Sequence, residues 1–288
     1  MRLAILTPAA DYRADWRWAY DIEAGALEAA GMSVEPLTWS GAADLAGFDL
    51  ILPLVAWGYH KSYDAWCAWL DHAEAARLPV ANPVPLLRWN SDKAYLAELT
   101  AARVPTVPSL TIERLDERSL AEARGAFGDD LVIKPVVSAS AFGTHRLGAA
   151  DPLPEAVRGW RMLAQPWLAS ITSSGEWSLI YFDGRFSHAV AKVPRAGEFR
   201  VQPEHGGIIT RCDAPPGARE VADAALAQAP TASTYARVDL VRGNDGALLV
   251  IELELIEPAL WLDHAPDPGA FAAAVASAAE SAALRARE

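Results

Sequence analysis

Close to its C-terminal end the chain runs Leu248-Leu249-Val250-Ile251-Glu252-Leu253-Glu254-Leu255. Successive side chains of a strand point to opposite faces, so Glu252 and Glu254 share one face and Leu253 and Leu255 the other. Two carboxylates on one face of an otherwise apolar strand repel unless positive charge lies between them. A second apolar run, Tyr235 to Arg242, carries Asp239 at mid-strand, and Asn244-Asp245-Gly246 joins the two runs as a turn. Pairing of these runs brings three carboxylates together, an oxygen-only donor set that suits a hard cation such as Mg²⁺. The competing expectation is the wet face of an antiparallel sheet, where Glu and Leu alternate routinely.

Cations are scattered earlier in the chain. Lys134 lies in the apolar run Leu131 to Pro135, just before the small-residue loop Ser138-Ala139-Ser140-Ala141-Phe142-Gly143-Thr144. A lysine in such a strand must meet an anion or leave for solvent, and lysine is a point-charge partner of phosphate. The loop offers backbone N–H groups and the hydroxyls of Ser138, Ser140 and Thr144 to phosphate oxygens. Its alternative is a plain connector after an edge-strand lysine. Lys192, Arg195 and Arg200, followed by Gly206-Gly207, form a basic stretch that could neutralise developing phosphate charge, or simply a solvated hairpin. Lys93, at an expected helix start with Asn90 or Ser91 as N-cap, carries the weakest signal.

The order of elements predicts an α/β lobe followed by an α+β unit. Strands at Leu3–Leu6, Met32–Leu37, Asp49–Val55 and Pro79–Ala81 alternate with helices at Trp16–Ala30 and Tyr63–Ala76, which reads as a small open parallel sheet over residues 1–85. Ligands of such sheets sit at the carboxyl ends of the strands, where Trp57-Gly58-Tyr59-His60 lies. A dinucleotide-binding reading fails, because Thr7-Pro8-Ala9-Ala10-Asp11 follows the first strand where a glycine-rich turn is needed. Past Asn82-Pro83-Val84-Pro85, strands dominate from Met162 onward, with Asp183-Gly184 as a hairpin turn. An Ala-rich helix over Pro268–Arg287 closes the chain. A net charge of −12 argues against nucleic acid or an anionic membrane as partner. Two cysteines exclude a disulfide framework and point to a reducing cytoplasm. The six histidines show no zinc-hydrolase spacing, and there is no nucleophile elbow. Eleven tryptophans are many for 288 residues and serve either packing or planar ligands.

The order of these parts resembles the ATP-grasp superfamily, in its glutathione-synthetase-like branch, over roughly residues 83–264. Gly175-Glu176 through Asp183-Gly184 resembles the branch's hairpin. Ala191-Lys192-Val193-Pro194, Gly197-Glu198-Phe199-Arg200 and Gly206-Gly207 resemble its basic run in spacing. Glu252-Leu253-Glu254-Leu255-Ile256-Glu257-Pro258 resembles its Glu-x-Asn…Pro motif. A closer resemblance spans nearly the whole chain. The Trp57–His60 loop, Arg88-Trp89-Asn90-Ser91-Asp92-Lys93, Phe186 to Val190 and Tyr235 to Asp239 are similar to bacterial ATP-grasp proteins related to the O-ureido-serine cyclo-ligase of cycloserine biosynthesis.

The resemblance implies a fold and a set of roles. The fold is a pre-ATP-grasp lobe over residues 1–85 and an ATP-grasp domain of two α+β subdomains over 86–288. Lys93 and Lys134 would contact ATP phosphates under the Ser138–Thr144 loop, with Gly143 among its members. Gln165, Trp167 and Leu168 would form the linker that reads adenine, with Glu176 near the ribose. Lys192 and Arg200 would stabilise the transferred phosphoryl group. Asp239, Glu252 and Glu254 would hold Mg²⁺, with Mn²⁺ as the substitute, although Glu254 stands where the branch has Asn. That extra charge demands tighter cation binding or another cation nearby. His60, His188 and His205 are the candidate bases for an acceptor amine. The implied activity is ligation of an amino-acid-like carboxylate and an amine through an acyl-phosphate, releasing ADP and phosphate, in a cytoplasmic enzyme that forms homodimers. Two rivals share the scaffold: a kinase that leaves the phosphate on its product, and a non-catalytic nucleotide-binding protein.

Overall fold

A computed structural model of the chain describes residues 1–41, 44–202 and 205–285. The expected end of the last helix at Arg287 lies outside the described residues. The first unit is a parallel sheet of β1 (Arg2–Thr7), β2 (Ser33–Thr38) and β3 (Leu50–Leu52) in the order β2-β1-β3. Val80 extends it by a parallel bridge to Ile51. Helices α1 (Arg17–Ala29) and α2 (Tyr63–Ala75) bury their apolar stripes against it, through Leu27 on one side and Trp66 and Leu70 on the other.

A helix that sequence patterning missed, α3 (Val84–Asn90), follows, with Pro85 tolerated in its first turn. Asn90 and Ser91 therefore do not cap the next helix, α4 (Tyr95–Ala101), contrary to expectation. Asn90 instead donates to the Leu253 carbonyl and accepts from the Leu255 N–H, and Ser91 Oγ donates to the Leu87 carbonyl. Ser91 Oγ also accepts from Trp66 Nε1 at 3.0 Å, so both side chains serve tertiary contacts that no local spacing announces.

Two antiparallel sheets make up the rest. The first comprises β4 (Leu110–Ile112), β5 (Leu131–Pro135), β6 (His145–Leu147) and β7 (Met162–Pro166), in the order β4-β7-β5-β6. Leu131 and Ile133 of β5 pack with Leu120 and Ala123 of α5 (Glu117–Phe127) on its outer face, leaving Val132 and Lys134 on the inner one. After the short helix α6 (Ser170–Ser174) come β8 (Glu176–Phe182), β9 (Arg185–Val193), β10 (Ile208–Cys212), β11 (Tyr235–Arg242) and β12 (Leu248–Glu254). They form a sheet in the order β10-β9-β8-β11-β12. Asp183 and Gly184 turn β8 into β9 with φ of 49° and 69°, as their hairpin reading requires.

The two-residue period divides this sheet cleanly. Leu179, Val238, Leu240, Leu253 and Leu255 face a core shared with α4 and with α7 (Ala218–Leu226). Glu176, Ser178, Arg237, Asp239, Glu252 and Glu254 alternate with them. Toward one end of the sheet Ile180, Phe182 and Tyr235 join Leu3, Leu52 and Phe271 in a common core with the parallel sheet. The last helix, α8 (Gly269–Arg285), lies in that core and contacts α1 and β3. The end of the chain thus packs with its beginning, and the parallel lobe is fastened beside the polar face. Among the described residues no helix is long and apolar enough to cross a membrane.

Candidate active site between the two antiparallel sheets

Cross-strand register places the charges. Asp239 stands opposite Glu252 and Arg237 opposite Glu254 on β11 and β12, with a register shift after Asp239. Ser178 stands opposite Asp239, and Glu176 opposite Lys192, on the neighbouring strands. Carboxylate oxygens of Asp239, Glu252 and Glu254 come within 4.8 Å of one another. Each already meets cations. Asp239, 2% exposed, accepts from Ser178 Oγ at 2.5 Å, Lys192 Nζ at 3.1 Å and the Arg237 guanidinium at 3.0 Å. Arg237 also pairs with Glu254, Lys192 with Glu176, and Lys93 with Glu252 at 3.0 Å. Arg237 is the residue that sequence reasoning missed. Its i, i+2 spacing from Asp239 in an apolar strand was the available signal, and it is the nearby cation that Glu254 demands.

The four-stranded sheet faces this array across a cavity of about 1580 Å³, counted out to open solvent. The lining brings together Lys93, Lys134, Ser138, Ser140, Thr144, Gln165, Trp167, Leu168, Glu176, Lys192, Arg200, Asp239, Glu252 and Glu254. Of the residues expected to contact nucleotide or metal, Gly143 alone is outside the lining. It packs against Pro135 with φ of 66°, and a Cβ there would approach Pro135 Cγ to 2.8 Å, so its need is steric. Lys93, which the sequence left as a weak candidate, is buried and ties the site together. Its Nζ donates to the Ser138 carbonyl at 2.5 Å besides pairing with Glu252. Lys134 is buried with no ion-pair partner among the described residues. Arg200 lies over the cavity, held by Glu198 at 2.7 Å.

Among the described residues no histidine lines the cavity, so His60, His188 and His205 stand outside it. His188 Nε2 meets the Leu260 and Trp261 carbonyls, at 3.1 and 3.0 Å. His60 turns toward Phe142 of the loop, and burial pushes its imidazole down to about 4. His205 is likewise absent from the lining.

Burial and charge oppose each other in the array. Burial raises Glu254 to about 7 against the pull of Arg237, and raises Glu176 to about 7 against Lys192. Burial acts the same way on Asp239 and Glu252, but Arg237 and Lys192 overcome it at the first, and Lys93 and Lys134 at the second. Both stay below the ordinary carboxylate range. Burial lowers Lys134, with Glu252 opposing. Carboxyls raised to about 7 bind more protons folded than unfolded, so their stabilisation is lost as pH rises through that value. The histidines lowered by burial act in the opposite sense around and below their unfolded value of about 6.5, and so offset part of this loss. The ligand-free protein is therefore expected to melt several degrees lower at pH 8 than at pH 6.5, with a shallower slope in Glu254→Gln. Calorimetry across that range checks this, and a flat or rising profile would contradict it.

Two antiparallel sheets clasping a cleft of lysines and carboxylates, beside a small parallel sheet, make up the ATP-grasp architecture. Residues 3–82 match the family described as D-cycloserine synthetase DcsG, N-terminal domain. Cycloserine biosynthesis protein DcsG of Streptomyces lavendulae is 30% identical over 288 residues, covering 92% of this chain and 94% of that protein. The crystal structure of D-cycloserine synthetase DcsG superposes with a TM-score of 0.83 at 28% identity, over 97% of this chain and 100% of that one. D-alanine–D-alanine ligase of Bacillus anthracis shares the fold at a TM-score of 0.68 and 17% identity, over 100% and 98% of the two chains. The chain belongs to the DcsG family of ATP-grasp proteins.

Proposed function

We propose that the protein is an ATP-dependent ligase that joins a carboxylate and an amine of small amino-acid-like substrates, within one molecule or between two. The observation that supports this reading most is that one cavity holds Lys93 and Lys134 together with Asp239, Glu252 and Glu254. In this reading the γ-phosphate of ATP passes to a substrate carboxylate oxygen. The amine then attacks the acyl carbon, a C–N bond forms, and phosphate leaves with the former carboxylate oxygen. Phosphoryl transfer asks the protein for position and charge rather than a covalent nucleophile.

Lys134, without an ion-pair partner among the described residues, takes the phosphates together with Lys93. Ser138, Ser140 and Thr144 lie on the loop that covers them, and Gln165, Trp167 and Leu168 border the adenine. Glu176 lies on the ribose side, held by Lys192. Lys192 and Arg200 neutralise charge on the group in flight. The three carboxylates fit Mg²⁺, since all donors are oxygen and their cations Arg237, Lys192 and Lys93 can turn to phosphate oxygens instead. Bound there, Mg²⁺ supplies charge neutralisation to the phosphates. Mn²⁺, which accepts the same donors, substitutes for it. Residues 1–85 act as the substrate lobe, with Trp57 and Tyr59 reaching the cavity.

Product analysis tests the reading. Incubation with Mg-ATP and a panel of amino acids should give ADP and free phosphate in equal amounts, only with a competent carboxylate and amine. ADP formed without free phosphate would make the protein a kinase, and no ADP with any pair would make it a binding protein.

A further inference from the structure

Arg200 reaches the cavity from the irregular stretch between β9 and β10. Glu198 holds it through Nη2 at 2.7 Å and Nε at 3.1 Å, and the same carboxylate accepts the backbone N–H groups of Phe199 and Arg200. All of these bonds lie within three consecutive residues, so they shape the arginine without fixing it over the cavity. The turns beside them are equally local. Glu198 N–H donates to the Arg195 carbonyl and Gly207 N–H to the Gln202 carbonyl. Val201 is 3% exposed, and a Cβ on Gly207 would strike its carbonyl, so the returning chain packs on its own stretch. Among the described residues no hydrogen bond or ion pair carries residues 195–202 to another element of the fold.

One ring contact does reach out. Phe199 meets Trp167 edge to face, with centroids 5.7 Å apart and 84° between planes. Phe199 joins none of the hydrophobic clusters of buried side chains and lines the cavity instead. Trp167, by contrast, is anchored. Its N–H donates to the Asp130 carbonyl at 3.0 Å, and its carbonyl accepts from Asn244 Nδ2 at 3.2 Å. The Arg146 guanidinium lies 3.9 Å from the indole centroid, and both Asp130 carboxylate oxygens hold that guanidinium, at 3.0 and 2.8 Å. A fixed ring is thus offered to a stretch whose directed bonds are otherwise internal. Edge-to-face aromatic pairs have a preferred geometry, so the contact restricts orientation as well as distance.

We propose that Phe199 is a positioning residue: seated on Trp167, it sets the Glu198–Arg200 unit over the cavity so that the guanidinium meets the γ-phosphate. This rests on the ligase reading, in which Trp167 borders the adenine and Arg200 neutralises the transferred group. It adds that one aromatic contact joins the base end of the nucleotide site to the cation at its phosphate end. Removing the ring leaves Arg200 charged and paired with Glu198, but no longer held in place.

Calorimetric titration of the full chain in Mg²⁺ tests it, with ADP and a non-hydrolysable ATP analogue as the probes. The ratio of the two dissociation constants reads the γ-phosphate contacts and needs no acceptor substrate. Arg200→Ala and Phe199→Ala should each lower the preference for the analogue at least about five-fold, as expected for loss of a charged hydrogen bond. Phe199→Ala should keep ADP affinity within about three-fold, which also shows that the variant is folded. Phe199→Tyr, which retains the ring, should restore the parent's ratio. In an Arg200→Ala background, Phe199→Ala should change the ratio by less than about two-fold, because its effect passes through the arginine. Additive losses in the double variant, or a parent-like ratio in Phe199→Ala where Arg200→Ala has lost it, would overturn the proposal and leave the ligase reading intact. ADP affinity that falls in step with the analogue's in Phe199→Ala would overturn it too, making the ring a base contact. A ratio that Arg200→Ala leaves unchanged would overturn both the proposal and the part of Arg200 in the ligase reading.

Discussion

Asp239→Asn should lower amine-dependent ADP formation by at least about a hundred-fold and the melting midpoint by about 10 °C. Both effects come from one carboxylate. Asp239 is 2% exposed and compensates Lys192 and Arg237 while Ser178 donates to it. An isosteric amide keeps the shape and removes the charge, so two buried cations lose their shared partner. Removing one partner of a buried pair costs about 3–5 kcal/mol, and here the cost falls toward the lower end because Lys192 keeps Glu176 and Arg237 keeps Glu254. Activity falls separately, since Asp239 belongs to the carboxylate set proposed to hold Mg²⁺ and pairs with Lys192. Calorimetry and a coupled ADP assay read the two effects. A variant as stable as the parent would mean that the ion-pair array does not hold this sheet face together.

Lys134→Met should do the reverse to stability. Lys134 is buried without an ion-pair partner among the described residues, and its ammonium is penalised by burial. An apolar side chain of similar length removes that penalty and leaves Glu252 paired with Lys93 at 3.0 Å. The ligand-free variant should melt at or above the parent. Affinity for an ATP analogue should drop about 10–100-fold, the loss of one charged hydrogen bond of about 1.5–3 kcal/mol. Opposite signs in the two assays separate a group kept for its ligand from one kept for the fold. A destabilised variant with unchanged nucleotide affinity would assign Lys134 to structure.

Much of this site could be read in advance because strand periodicity is local. Glu252 and Glu254 share a face by their spacing alone, and Asp239 needed only a paired neighbour, which the Asn244–Gly246 turn supplied. Lys134 stood out because a lysine in an apolar strand demands an anion. Arg237 obeyed the same rule two residues before Asp239, but inside a string read for its resemblance it drew no separate attention. Other features carry no local signature. Asn90 looks like a cap until β12 is folded beside it, and α3 hides behind Pro83 and Pro85. The Trp18–Trp261 stack joins residues on α1 and beyond β12, segments that meet only in the folded core they share. The positions of His60, His188 and His205 outside the cavity lining were hidden for the same reason, since their surroundings are tertiary.

In the proposed function the two antiparallel sheets clasp a magnesium-bridged triphosphate. The most direct measurement is a crystal structure of the full chain with Mg²⁺ and a non-hydrolysable ATP analogue. It should show the phosphates between Lys134 and the carboxylates of Asp239 and Glu252, with the metal on those carboxylates. A nucleotide bound outside this cavity, or with its phosphates remote from Lys134, would contradict the claim.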